Sequence, residues 1–217
     1  IPSAKPPQFP HQSLPVPPFV FGFWYMNHKS RNRITVPKIY SEFVREKFKD
    51  AGYEVIERTI QNDGGRSIEI APKMERHLEY SIPHLIPNNY LLGSPEQRME
   101  LLKGIIHSRT RIYKQSNDTF YFTTGNVPLA KQFRFLVESL GYKTRMDMNP
   151  ARNSVAIVFR SPIKLVEHQR PRTKPVVHIT RRYIVEVEKI PSQLCVHIET
   201  EGADNSYLVG EGFIAVC

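Results

Sequence analysis

The feature that most restricts this chain is a glycine set in the middle of an apolar helical stretch, and it occurs twice. "FVFGFWYM" (Phe19 to Met26) carries Gly22, and "LLKGIIH" (Leu101 to His107) carries Gly104. In an ordinary helix interior a glycine costs about 1 kcal/mol relative to alanine. Two helices can cross with their backbones nearly touching only where no Cβ intervenes. Gly22 and Gly104 are therefore expected to meet as a helix seam. The chain after each stretch repeats as well. A basic segment comes next, then an amphipathic helix ending in Gly-Tyr (Gly52-Tyr53, then Gly141-Tyr142), then strands. Internal repetition on this scale implies two pseudo-symmetric halves sharing one core.

Local signals agree with the repeat. Pro17 and Pro18 stand where the first helix can start. Ile39, Phe43, Val44 and Phe48 recur at helical spacing, and Gly52 supplies a stop. From Val55 to Ile70 the pattern alternates around "NDGG", a hairpin signal. In the second half, Ser94 reads as a helix cap, Pro95 as the first helical position, and Glu96 as an acid suited to the first turn. "RIYKQ" and "TFYFTT" form a strand pair, "VPLAKQFRFLVESL" an amphipathic helix, and "SVAIVFR" a buried strand. Pro2, Pro6, Pro7, Pro10 and Pro15 make residues 1–18 an extended lead-in that packs along a surface.

Charge narrows the class of partner. Lys and Arg number 30 against 21 Asp and Glu, for a net charge of +9. An excess of that size points to a polyanion, with nucleic acid ahead of an anionic membrane surface. The longest apolar run, Phe19 to Met26, is far below the roughly 20 residues a bilayer span needs. Cys195 and Cys217 make neither a disulfide framework nor a zinc site, so an intracellular location is expected, in cytoplasm, nucleoid or nucleus. Cys195 reads as a small buried hydrophobe, and His178 and His197 as structural histidines in strands. The chain opens on Ile1 and not on Met, as a fragment or processed product would.

With these residues in view, the sequence resembles the LAGLIDADG homing endonucleases, and more closely their intein-borne members. "FVFGFWYMN" is similar to the first family motif and "LLKGIIHSR" to the second. "LPVPPFVFGFW" and "HLIPNNYLLGSPEQRMELLKGII" resemble the segments leading into them, and "TTGNVPLAKQFRFLVESLGYKT" the helix after the second motif. The tail "RYIVEVEKIPSQLCVHIETEGADNSYLVGEGFIAVC" resembles the C-terminal splicing strands of an intein.

The resemblance implies an α+β fold, a pseudo-twofold pair of αββαββ units with saddle-shaped antiparallel sheets, followed by a short all-β segment. It sets the endonuclease-like domain at residues 19–165, with halves of about 19–80 and 81–165. Residues 166–217 then form a basic linker and an intein-like β segment. It also implies duplex DNA as the partner and Mg²⁺ as the cofactor of active members, held by one acid at the end of each motif helix.

Here the positions of those acids fall on Asn27 and Arg109. No Asp or Glu occurs from Asn27 through Ser41, or from His107 through Asn117. Arg109 places a permanent cation where a dication would sit. The expectation is therefore DNA binding without metal-dependent cleavage and without a cofactor. Lys29, Arg31 and Arg33 come after the first seam helix, and Arg109, Arg111 and Lys114 after the second, with Arg66 contributing from the first hairpin. These are the candidate phosphate contacts. Two alternatives stand beside this. One is an enzyme, either a nuclease with a displaced metal site using His28 or His107 as base, or one component of a split intein awaiting its partner fragment. The other is a non-enzymatic scaffold within a larger complex.

Overall fold

In the computed structural model, the described residues are 6–27, 34–59, 67–72, 85–108, 112–114, 119–161, 165, 186–194, 207–209 and 214–216. They form five α-helices and nine strands in an α+β arrangement. The first unit runs α1 (Pro18–Asn27), β1 (Ile34–Pro37), α2 (Lys38–Asp50), β2 (Val55–Thr59) and β3 (Ser67–Pro72). The second runs α3 (Asn88–Leu91), α4 (Pro95–His107), β4 (Ile112–Lys114), β5 (Thr119–Thr124), α5 (Val127–Ser139), β6 (Thr144–Asn149) and β7 (Ser154–Arg160). β8 (Tyr207–Val209) and β9 (Ile214–Val216) pair as a separate antiparallel ribbon.

The two units share a topology. The first sheet has the order β1-β3-β2 and the second β4-β5-β7-β6, antiparallel throughout. Matching β1 with β5, β2 with β6 and β3 with β7 superposes the orders. β4 has no counterpart among the described residues, and the chain between α1 and β1 lies outside them. β6 is the strand expected after Gly141-Tyr142, whereas β1, four residues long and followed directly by α2, is a strand that no sequence signal marked.

The Gly-Tyr pairs have a local cause. Gly52 and Gly141 both sit at positive φ, +83° and +84°. At the end of α2, the Gly52 amide donates to the Lys49 carbonyl and the Tyr53 amide to the Phe48 carbonyl, at 2.8 and 3.0 Å. At the end of α5, Gly141 donates to Glu138 and Tyr142 to Val137 in the same pattern. This is the Schellman closure, in which glycine enters the left-handed region and the next residue reaches back to the helix. Tyr53 also meets Phe48 ring to ring at 6.2 Å.

At the other end of a helix, Ser94 caps α4. It accepts from the Gln97 amide while the Gln97 side chain accepts from the Ser94 amide, a reciprocal capping box. Asn126 caps α5 by accepting from the Leu129 amide.

α1 is buried on every side from Phe19 to Met26, as a helix apolar all round must be. It lies along α4 in the most extensive helix–helix contact of the described chain. Under the second sheet, Phe122 stacks on Phe133 at 4.1 Å, and Phe120 on Phe159 at 5.2 Å.

The lead-in, residues 6–17, carries no regular secondary structure and is held by side chains of the second unit. Tyr90 grips Val16 twice, its hydroxyl donating to the Val16 carbonyl at 2.8 Å and accepting from the Val16 amide at 3.3 Å. Burial pushes the Tyr90 phenol up to about 12 from its ordinary 10.0. The unfolded phenol loses its proton near pH 10 while the native one keeps it to about pH 12. Stability from Tyr90 is thus fully present below pH 10 and is lost as pH rises through 12. Tyr90→Phe is expected to flatten the fall of unfolding free energy between pH 10 and 12, measured by urea denaturation across that range.

Among the described residues, no helix is long and apolar enough to cross a membrane. Residues 186–194 are exposed throughout.

Candidate nucleic-acid interface

The two seam glycines meet the opposite helix in a reciprocal way. A Cβ on Gly22 would stand 2.6 Å from the Leu101 carbonyl oxygen and 3.2 Å from Ile105 Cγ1. A Cβ on Gly104 would run into the Phe19 carbonyl oxygen. Phe19 is three residues before Gly22, and Leu101 three before Gly104. Each helix thus offers the other the same pair of positions. Side chains at either glycine would wedge the helices apart.

Asn27 closes α1, and its side-chain amide donates to the Phe23 carbonyl at 2.9 Å. His107 closes α4 and is 2% exposed. Its Nδ1 lies 2.8 Å from the Lys103 carbonyl oxygen, and since a carbonyl only accepts, Nδ1 carries the proton. The ring packs against Phe43, Phe19 and Tyr40, with centroids at 4.9, 5.6 and 5.7 Å. The helix end that the sequence shows as polar is therefore enclosed by aromatic rings from α1 and α2.

Beside it, Glu100 bridges Lys103 of its own helix at 2.8 Å and Lys47 of α2 at 3.2 Å. Burial pushes the Glu100 carboxyl up, but hydrogen bonds and charges from the two lysines outweigh this and hold it below the usual carboxylate range. Lys47 also lies over the rings of Phe19 and Phe43.

Asn27 and His107, the described donors at the helix ends, do not fit a hard dication such as Mg²⁺. They are a neutral amide and an imidazole packed among rings, where oxygen ligands with negative charge are needed. Among the described residues, no three His, Cys, Asp or Glu side chains come together in a way that could hold a metal ion.

Of the other candidates, Lys29, Arg31, Arg33, Arg66, Arg109, Arg111 and His28 lie outside the described residues. Lys114 ends β4, opposite Phe120 of β5.

The second sheet has two unlike faces. Phe120, Phe122, Val155, Ile157 and Phe159 are buried toward the helices. The alternate positions Tyr121, Thr123, Ala156 and Val158 are half-buried, and Arg145 and Arg160 are exposed. Register aligns Tyr121 with Val158 and Arg145 with Val158, so these stand in one row across β5, β7 and β6. Arg145 is paired with Asp147 at 2.7 Å. An antiparallel sheet packed on one face and open on the other has this alternation. Sequence reasoning passed over Tyr121, Arg145 and Arg160. The period-two pattern of "TFYFTT" and "SVAIVFR" was the signal that separated their face from the buried one.

The residue that sequence reasoning missed altogether is Arg98, 0% exposed within α4. Its guanidinium donates to the carbonyls of Gly93 (3.0 Å), Ser139 (2.6 Å) and Pro7, and Phe9 covers it at 4.8 Å. Burial pulls it down to about 10, the Glu96 charge opposing, so it remains a cation at neutral pH. Its place on the face of Leu101, Leu102 and Ile105 was the available clue.

No protein-family model and no curated protein matches the chain. Solved structures do. I-DmoI in complex with DNA and Mn is 10% identical, with a TM-score of 0.45 over 68% of this chain and 89% of that one. I-DmoI in complex with DNA and Ca is also 10% identical, with a TM-score of 0.43 over 68% of this chain and 83% of that one. A structure of mesophilic variants from the homing endonuclease I-DmoI is 8% identical, with a TM-score of 0.44 over 67% and 82%.

Proposed function

We propose that this chain binds double-stranded DNA along its two sheets without cutting it, as a homing-endonuclease-like protein of intein descent. The reciprocal glycine seam carries this proposal. It joins two units of matching strand order, which supports a pseudo-twofold body able to present two sheets to one duplex. The open face of the second sheet adds Tyr121 for contact with bases and Arg145 and Arg160 for phosphates. The net charge of +9 supports the same partner.

In this reading the ends of α1 and α4, with Asn27 and Arg109, are a former metal site. Arg109 there acts as a phosphate contact and His107 as a packing residue. Intein descent is supported by the resemblance of the tail, within which β8 and β9 pair as a ribbon.

The test is retention of a duplex library over a salt series, with nicking scored separately in Mg²⁺ or Mn²⁺. If Lys29, Arg31, Arg33, Arg66, Arg109, Arg111, Lys114, Arg145 and Arg160 each neutralise one phosphate, the logarithm of affinity falls against the logarithm of salt with a slope of about −8. The expected result is retention with that steep slope and no nicking. No retention at about 50 mM salt sinks DNA binding and leaves the scaffold. Nicking that vanishes in His107→Ala points to a displaced nuclease site.

A further inference from the structure

α1 cannot stand by itself. It is ten residues long, carries an interior glycine and is crowded with aromatic residues of modest helix propensity. Isolated helices shorter than about 12–15 residues are marginal even with good sequences. α1 is positioned instead by what it touches, and one contact comes through the chain that feeds it.

Residues 6–16 are gripped at three successive points by the second unit. Arg98 donates to the Pro7 carbonyl and lies against Phe9. Gln97 reads the backbone of Gln12 in both directions, accepting from its amide at 2.9 Å and donating to its carbonyl at 2.7 Å. Tyr90 does the same for Val16, and its ring also stacks on Phe21 of α1 at 4.0 Å. Apart from the ring of Phe9 over Arg98, these grips read backbone groups, so they secure an extended segment with little dependence on its other side chains. Pro17 and Pro18 come directly after Val16, and two fixed φ angles pass the orientation of Val16 into the helix. The Pro17 carbonyl accepts the first helical hydrogen bond, from Phe21 at 2.9 Å.

We infer that residues 6–16 act as a strap: the surface made by Tyr90, Gln97, Arg98 and the end of α5 is a receptor for an extended, proline-rich segment, and its occupation by this segment holds α1 in register at the seam. Release of the strap frees α1 without unfolding the second unit, so the contact between the two halves is set from outside the seam. Anything that competes for the receptor, such as another extended proline-rich chain with an aromatic residue to cover Arg98, loosens the seam.

Native-state hydrogen exchange on the full chain tests this with two variants that weaken the strap at opposite ends. Phe9→Ala removes the ring over Arg98, nine residues before α1 begins. Tyr90→Phe removes the hydroxyl and keeps the stack on Phe21. In both, the amides of α1 from Phe21 to Asn27 are expected to exchange about 10-fold faster, the scale of one buried hydrogen-bonding group for Tyr90→Phe and of one ring–guanidinium contact for Phe9→Ala. The amides of α5 and β7 are expected to keep their rates. α1 protection unchanged in Phe9→Ala while residues 8–16 exchange faster would overturn the proposal, because the strap would then be a passenger. Equal acceleration in α1, α5 and β7 would overturn it too, as a mere loss of global stability. Neither readout involves DNA, so failure here is separate from failure of duplex binding.

Discussion

Gly104→Ala is expected to destabilise the protein by about 3 kcal/mol, the upper range for forcing an extra methyl into a packed site. The sign is the informative part. At an unconstrained helix interior the same substitution stabilises by about 1 kcal/mol, because alanine is the better helix former. Here the new Cβ would meet the Phe19 carbonyl oxygen, and would stand 2.9 Å from the Phe19 carbonyl carbon and 3.0 Å from its Cα. All three are backbone atoms, so no side chain can turn aside, and one helix has to move.

Gly22→Ala meets the Leu101 carbonyl oxygen at 2.6 Å and is expected to behave alike. The double substitution is expected to lose less than the sum, since one displacement of the helices relieves both contacts. Gly52→Ala is the control. It has nothing within 4 Å of its Cβ position but sits at φ +83°, so it should lose about 1–2 kcal/mol from left-handed strain alone. Urea denaturation of the four variants checks the set. A stabilised Gly104→Ala would mean that the helices do not cross at the glycines.

Arg98→Met is expected to cost about 3–5 kcal/mol, because three charge-assisted hydrogen bonds to backbone carbonyls are lost together. Methionine fills much of the volume but donates nothing. The carbonyls of Gly93, Ser139 and Pro7 then lose their donor inside the protein, where an unmet acceptor costs about 1–3 kcal/mol. The Ser139 carbonyl also stands at the C-terminal end of α5, where the helix dipole favours a cation. Arg98→Lys keeps the charge but not the planar fork, so an intermediate loss is expected. Denaturation at neutral pH measures both, and a neutral Arg98→Met would show that the guanidinium is only tolerated there.

Much of the architecture was legible in the residues. Ser94 and Pro95 marked where α4 begins, Gly52 and Gly141 where α2 and α5 end, and Gly22 and Gly104 the crossing of α1 with α4. These signals are local: a cap, a positive φ or a missing Cβ acts within one turn, so its reason is written beside it in the chain. The candidate site was legible only as chemistry. The missing carboxylates after Asn27 and His107 could be read directly from the sequence. The enclosure of His107 could not, because the rings that surround it come from α1 and α2.

Sequence by itself determined the glycine-centred and amphipathic helices, where they stop, and the charge of the helix ends. Tertiary structure alone decided that the glycines exchange contacts reciprocally, that one face of the second sheet stays open, and that Arg98 is a buried cation. The last case shows the physical reason. A charged side chain reads as solvent-exposed until its acceptors are known, and two of the three for Arg98 lie 41 and 91 residues away, at Ser139 and Pro7. Periodicity tells which face of a helix is to be covered; what covers it is settled by contacts between segments that the sequence keeps far apart.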